Sequence, residues 1–277
     1  MTTPENRAVL VTGAAGGIGT AVTRALADSG YRVYAGVRGA PGPADVPGVR
    51  PLPLDVTDPE SVAAAAKEVS RAEGERGLYA LVNNAGVIVQ GPLELVPPEE
   101  LHRQFAVNVY GPATVTREFL PLLRRGGGRI VNISAPTARC PVPFMGALSA
   151  SKAALESLSH VSRMEFARWD IPVVIVVPGA VNTAIFDKST EAARIATGRS
   201  DPERVALYRD QVAALERMLA GQRTAPARRV ADVVARAVAA RRPKARYTAG
   251  MDARLVGVLA RLPLRLRDRV AMTAVGG

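Results

Sequence analysis

Valine- and isoleucine-rich runs alternate with segments of helical period through most of this chain, and that alternation constrains its fold more than any other feature. "RAVLVTG", "YRVYAGVR", "LYALVNNAG", "GRIVNIS" and "IPVVIVVPG" read as buried strands. Between them "GIGTAVTRALADSG", stopped by Gly30, "DPESVAAAAKEVSRAEG", "PPEELHRQFAVNVYGPATVTREFLPLLRRG" and "SASKAALESLSHVSRMEFARW" read as helices. Strands separated by helices need crossover connections. The pattern therefore predicts an α/β fold, a doubly wound and mostly parallel sheet with helices on both faces.

The 277 residues suit one domain spanning 1–277, because open α/β sheets commonly reach this length as a single unit. "GAPGPADVPG" is a Pro/Gly loop rather than a linker. Residues 184 to about 224 break the alternation with mixed polar and helical sequence after a strand's carboxyl end, the place for a substrate lid or for a helical insertion that only packs. A basic C-terminal region follows, from about 225 to 277.

No apolar tract is long enough to span a bilayer, and the N-terminus lacks a secretion-signal pattern. With Cys140 the only cysteine, no internal disulfide can form, and the cytoplasm is the default location. The net charge of +11 raises nucleic acid as a partner, but the arginines are scattered with few aromatics beside them and no nucleic-acid motif is present. A solvated arginine-rich surface is the simpler expectation. The basic residues that thicken toward the C-terminus would suit an acidic carrier protein, a phosphorylated substrate or a lipid surface. No metal-binding pattern is present.

"VLVTGAAGGIG" sets Gly13, Gly17 and Gly19 between the first strand and its helix. Glycines there let the backbone turn tightly and approach a pyrophosphate, whose charge the helix N-terminus favours. In the next strand, "VYAGVR", Gly36 stands where an acidic residue would hold an NAD ribose, and Arg38 follows. A missing carboxylate beside a guanidinium favours NADP(H) over NAD(H), although Gly16 adds no second positive charge.

The ordered motifs resemble those of the classical short-chain dehydrogenases/reductases across nearly the whole chain, which implies a Rossmann fold. Thr12, Gly13, Gly17, Ile18 and Gly19 fall on the family's glycine motif, and Asp55 and Val56 on its adenine-holding position. Asn83, Ala85 and Gly86 fall on its strand-end signature, Asn108 on its helix asparagine, and Pro178, Gly179 and Thr183 on the nicotinamide amide site. The tail "RYTAGMDARLVGVLARLPLRLRD" is similar to that of retinol- and hydroxysteroid-type members. The resemblance also implies a homodimer or homotetramer formed through two long central helices, and a Lys152 that contacts the nicotinamide ribose.

The family's proton-transfer pair is missing. Counting back from Lys152 puts Leu148 where the resemblance implies a tyrosine, and Ala135 where it implies a serine. A general acid is typically worth about 10²- to 10⁴-fold, so ordinary carbonyl reduction is expected to be poor. Ser149 and Ser134 are short, weakly acidic substitutes; Ser149 reads as a helix-start cap, and Ser134 points to the opposite strand face from Ala135. Thr137 and Cys140 fall in the adjoining loop, and His102 and His160 within helices as surface or packing residues.

Three functions are compatible with this pattern. An enzyme of non-classical chemistry would use a dry pocket for cyclisation, isomerisation, elimination or tyrosine-independent reduction of a small apolar substrate, with Lys152 and Asn108 as its remaining polar groups. A conventional NADP-dependent ketone or alcohol oxidoreductase could have been inactivated deliberately at Ala135 and Leu148. A noncatalytic nucleotide-binding partner or sensor is the third.

Overall fold

The valine-rich runs form the centre of a seven-stranded sheet in the computed structural model, which describes residues 7–39, 42–43 and 45–273. Positions 40, 41 and 44 of the Pro/Gly loop lie outside the described residues. The strands are β1 (Ala8–Thr12), β2 (Arg32–Val37), β3 (Val49–Pro53), β4 (Ala80–Asn83), β5 (Arg129–Ile133), β6 (Val173–Pro178) and β7 (Arg246–Ala249). They run in the order β3-β2-β1-β4-β5-β6-β7, and each neighbouring pair is parallel.

Ten helices are described: α1 (Gly17–Asp28), α2 (Pro59–Glu73), α3 (Pro98–Phe105), α4 (Gly111–Arg125), α5 (Gly146–Glu165), α6 (Ile185–Thr197), α7 (Pro202–Gly221), α8 (Ala227–Ala239), α9 (Met251–Leu259) and α10 (Leu264–Thr273). Successive strand residues serve opposite cores. Val9 and Val11 pack with Val22 and Leu26 of α1 and Val230 and Val234 of α8. Ala8 and Leu10 pack with Val62 of α2 and Val115 and Phe119 of α4. Every residue of β1, β4, β5 and β6 is buried, as covering helices on both faces require.

The two edge strands differ from the sequence expectation, which contained neither. In β3 the prolines Pro51 and Pro53 mask the pattern and only Leu52 is buried; proline is tolerated there because one edge of the strand is unpaired. β7 has only four residues, too few for a periodic signal. The connections reverse direction between β1 and β4, so a crevice opens at the carboxyl ends of these strands.

Candidate active site and cofactor cleft

The ends of β1 and β4 are laced together beneath the glycine loop. The Thr12 hydroxyl accepts the backbone N–H groups of Asn84 and Ala85, both at 3.0 Å, and the Asn84 amide donates to the carbonyls of Thr12 at 2.9 Å and Gly13 at 3.2 Å. Gly13 has φ +65°, and a Cβ there would lie 2.8 Å from the Ala85 Cα. A Cβ on Gly19 would lie 2.1 Å from the Gly13 carbonyl oxygen. The loop can hold this shape only with glycine at both places. Ile18, partly buried, anchors the first turn of α1 to the core. Gly16 caps that helix without a side-chain hydrogen bond, so the cap leaves the first-turn N–H groups clear of side-chain acceptors.

β2 delivers Arg38 to the rim of this loop. Its side chain is 72% exposed, and its guanidinium sits 3.7 Å from the Asp55 carboxylate. An ion pair this exposed is worth about 0–1 kcal/mol, so an incoming phosphate can draw Arg38 away. Burial opposes ionisation of Asp55, yet the hydroxyl and backbone N–H of Thr57, together with Arg38, hold its carboxyl below the ordinary value. Gly36 is not at the place expected for an acid. A Cβ there would lie 2.8 Å from the Leu54 Cδ2, whereas Val37 packs against Ala14 of the glycine loop. The apolar residue that faces the loop is therefore Val37, one position later.

These features fit a phosphorylated dinucleotide: a glycine cradle that extra side-chain atoms would fill, a helix start with no side-chain cap and an available guanidinium. Thr183, after β6, comes so close to the loop that a Cβ on Gly17 would lie 2.5 Å from its Cγ2. Val56 packs under Gly111, and Pro178 ends β6 beside Gly179, whose N–H donates to Ala249 at 2.7 Å. Asn83 lies elsewhere. Its amide donates to Asn132 at 2.8 Å within the sheet and is buried, so Asn84 rather than Asn83 braces the loop.

At the other end of the crevice, α3 runs into α4 through a widened turn, Ala106–Tyr110, closed by the Gly111 N–H to the Ala106 carbonyl. Pro112 has no N–H to return to Asn108 four residues earlier, which favours such a widening. The Asn108 side chain then clamps Val87, accepting its N–H at 2.9 Å and donating to its carbonyl at 3.0 Å. Gln104, one turn back, accepts the Val89 N–H at 2.7 Å and donates to Val87 and Ser151, each at 3.0 Å.

Lys152 is buried on α5 and donates to the Ile133 carbonyl at 2.7 Å. Loss of hydration pushes its pKa down to about 8. Gly86 lies between the polar groups: a Cβ there would be 3.4 Å from Asn108 Oδ1 and 3.8 Å from Lys152 Nζ. The structure thus brings Asn108, Gly86 and Lys152 together.

One family model, that of the short chain dehydrogenases, matches residues 7–194. The chain belongs to the short-chain dehydrogenase family. The rat estradiol 17-beta-dehydrogenase 2 is 39% identical over 191 residues, which are 65% of this chain and 50% of that protein. The chain therefore spans about half the length of that relative. Mouse retinol dehydrogenase 5 is 32% identical, with 95% of this chain and 86% of that one covered. A Burkholderia cenocepacia short chain dehydrogenase, solved in complex with NADP, has a TM-score of 0.76 at 28% identity, covering 97% and 99% of the two chains.

In this short-chain dehydrogenase Leu148 is buried in an apolar cluster with Ile88 and Met145, against which Val142, Ile185 and Phe186 pack. Ala135 is extended and leads into the turn Pro136–Ala138. Neither side chain can transfer a proton. Ser134 is committed elsewhere, donating to Glu156 at 2.8 Å. Ser149 is not the helix cap expected from sequence. Met145 occupies that place, and the Ser149 hydroxyl donates back to its carbonyl at 2.8 Å. Burial raises the Cys140 thiol pKa, the direction opposite to activation. The Thr137 hydroxyl is buried without a partner among the described residues. His102 is exposed on α3 and His160 part-buried on α5.

Three positioning residues escaped the sequence reading. Gln104 is four residues before Asn108 on one helical face, and Glu156 is four after Lys152; both spacings were legible. Asp252, near the start of α9, accepts the Ala180 N–H at 2.6 Å, and its oxygen occupies the space that a Cβ on Gly179 would need. Its only local signal was the preceding glycine.

Proposed function

We propose that this chain binds NADP(H) and acts on a small apolar substrate by chemistry that does not use the family's tyrosine: cyclisation, isomerisation, elimination or tyrosine-independent reduction. The observation that carries this reading is Leu148, enclosed by Ile88, Met145, Ile185 and Phe186 one helical turn from Lys152. Thr12, Gly13, Gly17, Gly19, Arg38 and Asp55 would hold the adenosine and phosphate portions. Lys152, Asn108, Gly86 and Thr183 would flank the nicotinamide end. When bound, the dinucleotide supplies or removes hydride. The apolar wall orients the substrate and excludes water, and Lys152, with its lowered pKa, is the one buried group there able to hold or release a proton near neutral pH.

We assign the substrate lid, residues 184 to 224, to α6 and α7; the packing of Ile185 and Phe186 against the Leu148 cluster supports this. The names of the two relatives, an estradiol and a retinol dehydrogenase, support an apolar substrate. A cytoplasmic homo-oligomer paired through the two long central helices, α4 and α5, completes the reading.

A second reading, a conventional oxidoreductase inactivated at two positions, draws on the intact Asn108 clamp and Lys152. The two are separated by Ala135→Ser with Leu148→Tyr. Under the first reading the double variant reduces simple ketones with NADPH less than about tenfold faster than the parent, because tyrosine overfills a packed cluster. A gain of about 10²- to 10⁴-fold transfers the assignment to the second. Turnover of a terpenoid- or polyketide-like panel, with and without NADPH, tests the first directly; no product across the panel counts against it.

A further inference from the structure

The last two helices present exposed apolar side chains, a stripe of them on α9, together with arginines. Met251, Leu255 and Val258 of α9 are 72%, 62% and 58% exposed, at spacings of four and three that place them on one face. On α10, Leu264 and Met272 are exposed on one side and Leu266 and Val270 on another, so this helix carries apolar side chains on two faces. Arg254, Arg261, Arg265 and Arg269 are exposed and have no acidic partner among the described residues, whereas Arg267 sits beside Asp268. Residues 251–273 hold five arginines against two aspartates, and one of these, Asp252, is taken by the Ala180 N–H.

So large an outward apolar surface marks a contact site. Its chemistry selects the occupant. A second copy would set one arginine row against another. A protein partner would be expected to meet aromatic anchors, but from Gly250 to Thr273 there is no Phe, Tyr or Trp. Aliphatic side chains flanked by long cationic ones that can reach outward match a helix lying in a bilayer interface. No helix among the described residues is long and apolar enough to cross a membrane, so the contact lies along the surface.

We propose that α9 and α10 form a docking surface for bilayers containing anionic phospholipids. The surface is tied to the crevice at two points. Asp252 holds the backbone after β6, and the Arg267 guanidinium approaches the Arg139 carbonyl at 3.5 Å, in the segment that follows Ala135. Docking would therefore act on the segments that follow β5 and β6, which border the crevice.

The test is co-sedimentation of the full chain with phosphatidylcholine vesicles with and without phosphatidylglycerol. Binding is expected only when phosphatidylglycerol is present. It should weaken about tenfold or more in Arg265→Gln/Arg269→Gln, at roughly 1 kcal/mol per arginine near the surface, and be lost in Leu255→Glu/Leu264→Glu. Because all four side chains are exposed, the variants should keep the parent's circular dichroism and thermal midpoint. Absence of binding by the folded parent overturns the proposal. So does equal binding to neutral vesicles, or a loss of self-association in the glutamate variant without any vesicle binding.

Discussion

Lys152 carries a cost that the rest of the fold absorbs. Its ammonium is enclosed against the Ile133 carbonyl, and its pKa falls from 10.5 in the unfolded chain to about 8. Between these values the unfolded chain holds a proton that the folded chain has released, so stability rises with pH across that window; below pH 8 both states are protonated and the folded state bears the full penalty. The shift corresponds to roughly 3 kcal/mol at most. Urea unfolding at steps from neutral pH to 10.5 should show the parent gaining stability relative to Lys152→Met. Parallel profiles would show that the lysine is not desolvated. The motif revealed Lys152 and its missing tyrosine partner. Desolvation was not legible, because it depends on β5 and α5 closing around the side chain.

Among the elements, α5 does the most positioning, and Glu156 fixes it in place. The carboxylate is buried and receives Ser134 from the end of β5, Arg139 from the following turn and Arg246 from β7. Burial opposes its charge, but hydrogen bonds from Arg246 and Ser134 outweigh that and lower its pKa. The stability it contributes is therefore present at neutral pH and lost as pH falls through that lowered value. Glu156→Gln should cost about 2–3 kcal/mol, less than a wholly buried pair because Arg139 and Arg246 are partly exposed. Chemical denaturation at neutral pH measures this, and a difference below a few tenths would show that the arginines find water equally well. Central strands were readable because burial on both faces leaves an unbroken apolar run, and amphipathic helices because burial on one face imprints a period. β3 and β7 were not, since an edge strand interrupted by prolines or limited to four residues leaves no period. The Glu156 ties were hidden for another reason: their partners are far apart in the chain.

At the scale of the whole molecule, two exposed apolar surfaces have different expected fates. Leu158, Val161 and Met164 are exposed along α5, with Tyr110 exposed just before α4. Paired copies should bury this face. Light scattering of the parent should give a dimer or tetramer and that of Val161→Glu a smaller species; a parent that is monomeric at every concentration would remove the assignment. The membrane-facing helices should remain outside that contact.

The sheet order also bears on how the chain comes to be folded. β1 lies inside the sheet, and Val9 pairs with Val33 on one side and Ala80 on the other. During synthesis the first three strands can associate while the second edge of β1 stays open until β4 has left the ribosome. An apolar central strand, destined to be covered on both faces, thus spends that interval as an exposed template. Slowed elongation before β4, or a shortage of chaperones, should reduce the yield of folded chain more than any change at the crevice.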